Sequence, residues 1–172
     1  YQPDFALLQQ LLDSLAEPVE GELERNLLIL DNSPEAHVAE RIRALPQVAS
    51  AAFRRVDVQS SPQNVGFGRG HNANAARGGA PYLFVLNQDC VLEPGVLERL
   101  MQAATSSPPD VAAWELRQIP YEHPKSYDPV TLETGWVSGA ASLFRREAFD
   151  AVGGFEPRIF MYAEDVDLSW RL

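Results

Sequence analysis

The chain has 172 residues, 45 % hydrophobic and 22 % charged, enough apolar material for one globular domain with a sizeable core. Fourteen basic against 24 acidic residues give a formal net charge of -10, which opposes non-specific attraction to nucleic acid or to an anionic membrane surface. No apolar run approaches the roughly 20 residues that span a bilayer. No secretory signal is visible, and the single cysteine, Cys90, excludes an internal disulfide and fits a reducing compartment.

Phe5, Leu8, Leu11, Leu12 and Leu15 recur at helical spacing and predict an amphipathic helix over 4–16. Asn26-Leu27-Leu28-Ile29-Leu30 is a short apolar run, as expected of a strand buried on both faces. Asp31-Asn32-Ser33-Pro34 ends it with turn and cap residues, and a helix is expected over 35–45. A second strand is expected over 52–58, a glycine-rich loop over 64–70 and a short helix over 72–77. Pro81-Tyr82-Leu83-Phe84-Val85-Leu86 is the clearest strand, with a helix over 94–104 after it. Further expectations are a strand over 111–116, a polar loop or flap over 118–134, a strand over 135–144 interrupted by small residues, and a helix over 146–152. Strand-helix alternation of this kind argues for an α/β layered fold with a mainly parallel sheet flanked by helices. Ligands of such sheets sit beyond the carboxyl ends of the strands, where Asp31 and Asp89 fall.

Four constellations carry the chemistry. Asp31 at a strand tip serves either as a cap for the next helix or as a ligand contact. Asn64-Val65-Gly66-Phe67-Gly68-Arg69-Gly70-His71-Asn72 fails as a dinucleotide fingerprint, because His71 occupies the third glycine position. It reads either as a flexible turn or as close backbone approach to a nucleotide or sugar, with Asn64 and Asn72 fixing the loop. Asn87-Gln88-Asp89 puts two oxygen-bearing side chains at i and i+2 after a buried strand, on one side if the chain stays extended, where ribose and a hard cation would fit. The bland alternative is a β-turn. Glu164, Asp165 and Asp167 open a helix after the aromatic run Phe160-Met161-Tyr162, and a carboxylate in a partly dry pocket there suits general-base work. Core burial is expected of Trp114, Trp136 and Trp170, with Trp136 the best candidate for a sugar platform because it flanks Val137-Ser138-Gly139.

The ordered set is Ile29-Leu30-Asp31-Asn32-Ser33, Asn64 to Gly68 with Asn72, Leu86-Asn87-Gln88-Asp89, Val137-Ser138-Gly139-Ala140, Gly153-Gly154-Phe155 and Phe160 to Leu168. It resembles the inverting family 2 glycosyltransferases of the GT-A fold, especially the rhamnosyltransferase-like bacterial branch. The resemblance runs from about residue 5 to the end and implies one catalytic domain over 1–172, with a nucleotide-sugar-binding half over 1–105 and an acceptor and catalytic half over 106–172. It implies transfer of a sugar from a nucleotide-diphospho-sugar to an acceptor hydroxyl, on a saccharide or lipid-linked saccharide, with inversion. By position, Asp165 would be the base with Glu164 beside it. Asp31, Asn64, Gly66, Asn72, Asn87 and Asp89 would meet the donor, and Trp136, Ser138 and Gly139 would line the acceptor pocket. Asp89 would hold Mg²⁺ or Mn²⁺.

The resemblance also implies a cytoplasmic location with peripheral membrane association. Relatives open with a strand that supplies further nucleotide contacts and close with acceptor-side helices; both are missing here, so a fragment of a longer protein is expected. Asn87 replaces the first acid of the strict D-x-D form. Two rivals remain: a non-catalytic nucleotide- or glycan-binding domain of the same fold, and a sugar nucleotidyltransferase. The second lacks its expected N-terminal glycine-rich loop with a basic residue.

Overall fold

The computed structural model describes residues 1–35 and 37–172. Asp4 opens the first helix by accepting amide hydrogens from Ala6 (2.8 Å) and Leu7 (3.3 Å), and α1 (Phe5–Ala16) buries Leu8, Leu11, Leu12 and Leu15. The apolar run forms β1 (Asn26–Asp31), and β2 (Arg55–Ser60) pairs with it in parallel, Leu28 opposite Asp57 and Asp31 opposite Ser60. Between them lies α2 (His37–Arg43). The helix expected over 35–45 included Ala36, which lies outside the described residues, and Ala44 and Leu45 leave the helix before a 3-10 turn at Pro46–Ala49. The second strand begins later than expected. Ser50 draws the amides of Ala52 and Phe53 into a turn, so the ladder starts only at Arg55.

The largest departure is α3 (Phe67–Arg77), which swallows much of the expected loop. Gly68 and Gly70 are helical, and they are glycines because neighbours come close. A Cβ added at Gly68 would stand 2.8 Å from Cβ of Phe155, and one at Gly70 would stand 3.3 Å from the Asn32 amide nitrogen. Gly66 has φ +85°, and a Cβ there would overlap the Phe160 carbonyl oxygen.

The second half carries β3 (Tyr82–Leu86), α4 (Val96–Ser106), β4 (Ala113–Glu115), β5 (Ala141–Arg145), α5 (Arg146–Ala151) and α6 (Glu164–Arg171). Its sheet has the order β3-β5-β4, both pairings antiparallel, with Leu86 opposite Ala141 and Trp114 opposite Leu143. The expected α/β plan is present, with parallel pairing confined to β1–β2. The chain enters β5 from the long excursion 116–140 rather than from a crossover helix, so β5 runs against its neighbours. Only the second half of the strand expected over 135–144 joins the ladder.

Phe144, Phe155 and Leu168 are fully buried at the centre of this half, and Phe155 meets Phe67, Phe144 and Phe149 edge-on, centroids 5.9, 6.1 and 5.7 Å apart. Trp170 corrects the core expectation: it is 76 % exposed, because α6 turns Glu164 and Leu168 inward and Trp170, two residues beyond Leu168, points away from them. No helix among the described residues is long and apolar enough to cross a membrane.

Among the described residues β1 pairs only with β2, and β3 only with β5. Their free edges line a cleft of about 1180 Å³ that takes in Leu27 to Leu30 on one side and Tyr82 to Leu86 on the other. Asp31, Asn87, Asp89 and Asp165 line the same cleft.

Candidate active site

The strand tip of β3 closes in a tight turn. Cys90 donates its amide to the Asn87 carbonyl at 3.3 Å, so Gln88 and Asp89 are the central turn residues and the extended i, i+2 arrangement does not form. Asp89 is exposed at the lip of the cleft and Asn87 is half-buried. The Asn87 amide donates to the Ala140 carbonyl at 2.8 Å, which brings the tip against the segment before β5.

That segment, 137–139, stays out of the sheet because its three successive amides are bound elsewhere. Val137 N–H donates to Ser169 Oγ (3.0 Å), Ser138 N–H to Glu115 Oε2 (2.7 Å) and Gly139 N–H to Asp165 Oδ2 (2.9 Å). It is a strap sewn alternately to α6 and to β4. Gly139 is needed there, since a Cβ would lie 3.1 Å from the Phe67 ring and 3.5 Å from Cβ of Asp165. The Asp165 contact and the Asn87 contact therefore fall on adjacent residues, Gly139 and Ala140.

Asp165 accepts the Val166 amide on Oδ1 (2.9 Å) and the Gly139 amide on Oδ2. Glu164 is 7 % exposed and its Oε2 has no partner. Burial, reinforced by the charge of Asp165, pushes its carboxyl above the ordinary carboxylate range against the pull of a backbone amide. His71 also lines the cleft, packed on Phe67 with centroids 4.4 Å apart, and burial lowers its pKa to about 4, so it is a neutral ring at physiological pH.

Asp31 answers the question its position posed. Its Oδ1 accepts the Ser33 amide at 2.9 Å in a local turn, while Oδ2 is buried without a partner among the described residues and the residue is 3 % exposed. The remaining loop residues have partners within the protein. Asn64 is exposed and accepts the Gly66 amide (2.9 Å), and Gly66 lies under Phe160. Asn72 spends both ends of its amide on the backbone of Phe155, at 2.7 and 2.9 Å. Asn64, Gly66 and Asn72 do not line the cleft; Trp136, Ser138 and Gly139 do.

For the divalent cation implied by the fold family, Asn87 and Asp89 supply hard oxygen donors. No group of three or more His, Cys, Asp or Glu that could hold a metal gathers among the described residues. That donor set suits an ion that keeps waters and binds chiefly to phosphate, as Mg²⁺ does, using one or two protein oxygens. It does not suit a preassembled cage.

Sequence reasoning missed one cluster. Glu115, at the end of β4, also accepts from Tyr127 Oη and from the ammonium of Lys125, which sits 4.1 Å from the centre of the Trp136 ring and donates to the Trp136 carbonyl at 3.1 Å. Burial and the Glu115 carboxylate push the Tyr127 phenol far up, so it remains a donor. The sequence signal was only an acid closing a short strand.

Residues 4–153 match the pattern of the glycosyl transferase family 2. Two relatives, from two strains of Mycobacterium tuberculosis, are named N-acetylglucosaminyl-diphospho-decaprenol L-rhamnosyltransferase; each is 30 % identical over 173 residues, covering 74 % of this chain and 56 % of the relative. Among solved structures, a mannosyltransferase, PcManGT from Pyrobaculum calidifontis in complex with GDP-Man and Mn²⁺, superposes with a TM-score of 0.73 at 14 % identity, over 98 % of this chain and 48 % of its own. That likeness fixes the GT-A fold. The chain belongs to glycosyl transferase family 2. It spans about half the length of the relatives it matches.

Proposed function

We propose that this chain is the core of an inverting glycosyltransferase that moves a sugar from a nucleotide-diphospho-sugar to a hydroxyl of a saccharide or lipid-linked saccharide. One observation carries the reading: the run of hydrogen bonds from Asn87 through Ala140 and Gly139 to Asp165, which holds the tip of β3 and the acid of α6 at one end of one cleft. Residues 1–105 hold the donor and 106–172 the acceptor. Asp31, whose Oδ2 has no partner among the described residues, contacts the nucleoside. Asn87 and Asp89 face the diphosphate and would hold Mg²⁺ or Mn²⁺, which when bound offsets charge on the diphosphate. Trp136, Ser138 and Gly139 line the acceptor side.

Asp165 takes the proton of the acceptor hydroxyl as that oxygen attacks the anomeric carbon. The bond from this carbon to the diphosphate oxygen breaks on the opposite side, and the electron pair leaves with the nucleoside diphosphate. Amides of Val166 and Gly139 orient the carboxylate for this step. The mycobacterial names favour a deoxyhexose donor and a polyprenyl-diphosphate-linked acceptor for this chain too. The single cysteine supports a cytoplasmic location, with the acceptor met at the membrane face.

A thermal-shift screen of nucleotide sugars, with and without Mn²⁺, tests the donor site, because ligand stabilisation grows with occupancy. A deoxyhexose donor should stabilise the chain more with Mn²⁺ than with chelator, and Asp89→Ala should erase that difference. Asp165→Asn should abolish transfer and keep the donor-induced shift. Donor binding with no transfer to any glycan acceptor would favour a non-catalytic binding domain; full turnover by Asp165→Asn would remove it from the base role.

A further inference from the structure

The buried cluster at the root of the flap has no part in the chemistry above. The flap, 116–136, leaves the sheet immediately after Glu115 and returns to the strap at Val137. Its outer side chains bury little: Ile119, Tyr121, Val130 and Leu132 are all exposed. One carboxylate ties the middle of the flap to the sheet. Glu115 gathers Lys125 and Tyr127 from the middle of the flap and the Ser138 amide from the strap, and the Lys125–Glu115 pair is nearly dry, with side chains 4 and 10 % exposed.

The consequences run to both sides of the cleft. Lys125 ties the Trp136 carbonyl and covers the Trp136 ring, and His123 from the same flap packs on that ring at 5.6 Å. On the other side, the amide that Glu115 holds belongs to Ser138, and the next amide, of Gly139, is the one that binds Asp165 Oδ2. Neighbouring amides of an extended strap point opposite ways, so fixing Ser138 toward β4 aims Gly139 toward α6. Asp165 has no side-chain partner among the described residues, and its orientation rests on these backbone donors.

We propose that Glu115 is a positioning residue, which through Ser138 and Gly139 sets the Asp165 carboxylate and through Lys125 sets Trp136. This rests on reading Asp165 as the base. A buried ion pair by itself is weak evidence for a stabilising role, since desolvation can exceed the Coulombic gain. The placement of this one, between flap and base, gives it a different use.

The experiment compares the wild-type chain with Glu115→Gln and with the double variant Glu115→Leu/Lys125→Met, which removes the acceptor of the Ser138 amide and leaves no unpaired buried charge. Folding is checked by circular dichroism. Steady-state transfer gives kcat and donor KM, and amide hydrogen exchange by NMR reads Gly139 directly. The double variant should fold, lose about 10–100-fold in kcat as supporting groups around reacting centres do, and keep donor KM within about threefold. Gly139 should exchange faster while amides of β1 and β2 keep their protection. Glu115→Gln, whose amide oxygen still accepts the Ser138 N–H, should recover part of kcat. A folded double variant with wild-type kcat overturns the proposal, as does a Gly139 amide with unchanged protection. If the wild-type chain transfers no sugar, the reading of Asp165 as base fails, while the exchange rate of Gly139 still decides whether Glu115 holds the strap.

Discussion

Replacing Asn72 by alanine separates a structural role from a ligand role at one position. Asn72 binds both backbone groups of Phe155, at 2.7 and 2.9 Å, across 83 residues of sequence. The approach is close: Gly154 has φ +71°, and a Cβ there would lie 2.6 Å from Asn72 Oδ1. Two hydrogen bonds contribute about 1 kcal/mol each, and truncation also strands a buried N–H and C=O whose lost solvation costs about 1–3 kcal/mol. The expected loss is about 3–5 kcal/mol. In a domain of this size each kcal/mol moves Tm by about 2–4 °C, so Asn72→Ala should melt about 6–20 °C lower. The assay is thermal unfolding by circular dichroism, paired with nucleoside-diphosphate titration at a temperature where both proteins are folded. Affinity should be unchanged. A variant that melts with the wild type, or one that stays folded and loses the nucleotide, would refute the argument and return Asn72 to the donor site.

Two further predictions concern pH. The raised carboxyl of Glu164 means the native state prefers it protonated; its stabilising share is full below the ordinary glutamate pKa and is lost as pH rises through the folded value. Glu164→Gln should therefore gain on the wild type from pH 4 to pH 7 in denaturant unfolding, and a gap that does not change with pH would contradict this. His71, lowered to about 4, acts in the opposite sense: neutral in the fold, it supports stability above pH 6.5, and that support is lost as pH falls toward 4. The loss approaches about 3 kcal/mol. His71→Phe should show a correspondingly shallower acid decline in urea unfolding, and an identical slope would place the ring in water.

What could be read from sequence was local. The leucine face of α1 and the apolar runs of β1 and β3 depend on neighbours within a few residues, and all form where expected. The glycines of 66–70 misled because their reason lies at Phe155 and Phe160: a pattern that signals a loose loop when read along the chain is a tight helix contact across it. The acids of 164–167 announced a site, and Asp165 does share a cleft with Asp89. The supporting residues stayed hidden because nothing local marks them. Glu115 meets Lys125 and Tyr127 only once the polar flap folds back, and Asn72 looks like a loop ligand until its partner from the far end of the chain is in place.

The slot between β1 and β3 has an effect on handling. Open strand edges recruit other strands, and here two of them confront one another across apolar walls. Each edge can accept a further extended segment, a second copy of the chain included, so self-association will rise with concentration. Dilute samples will keep single molecules in solution long enough for turnover to be counted.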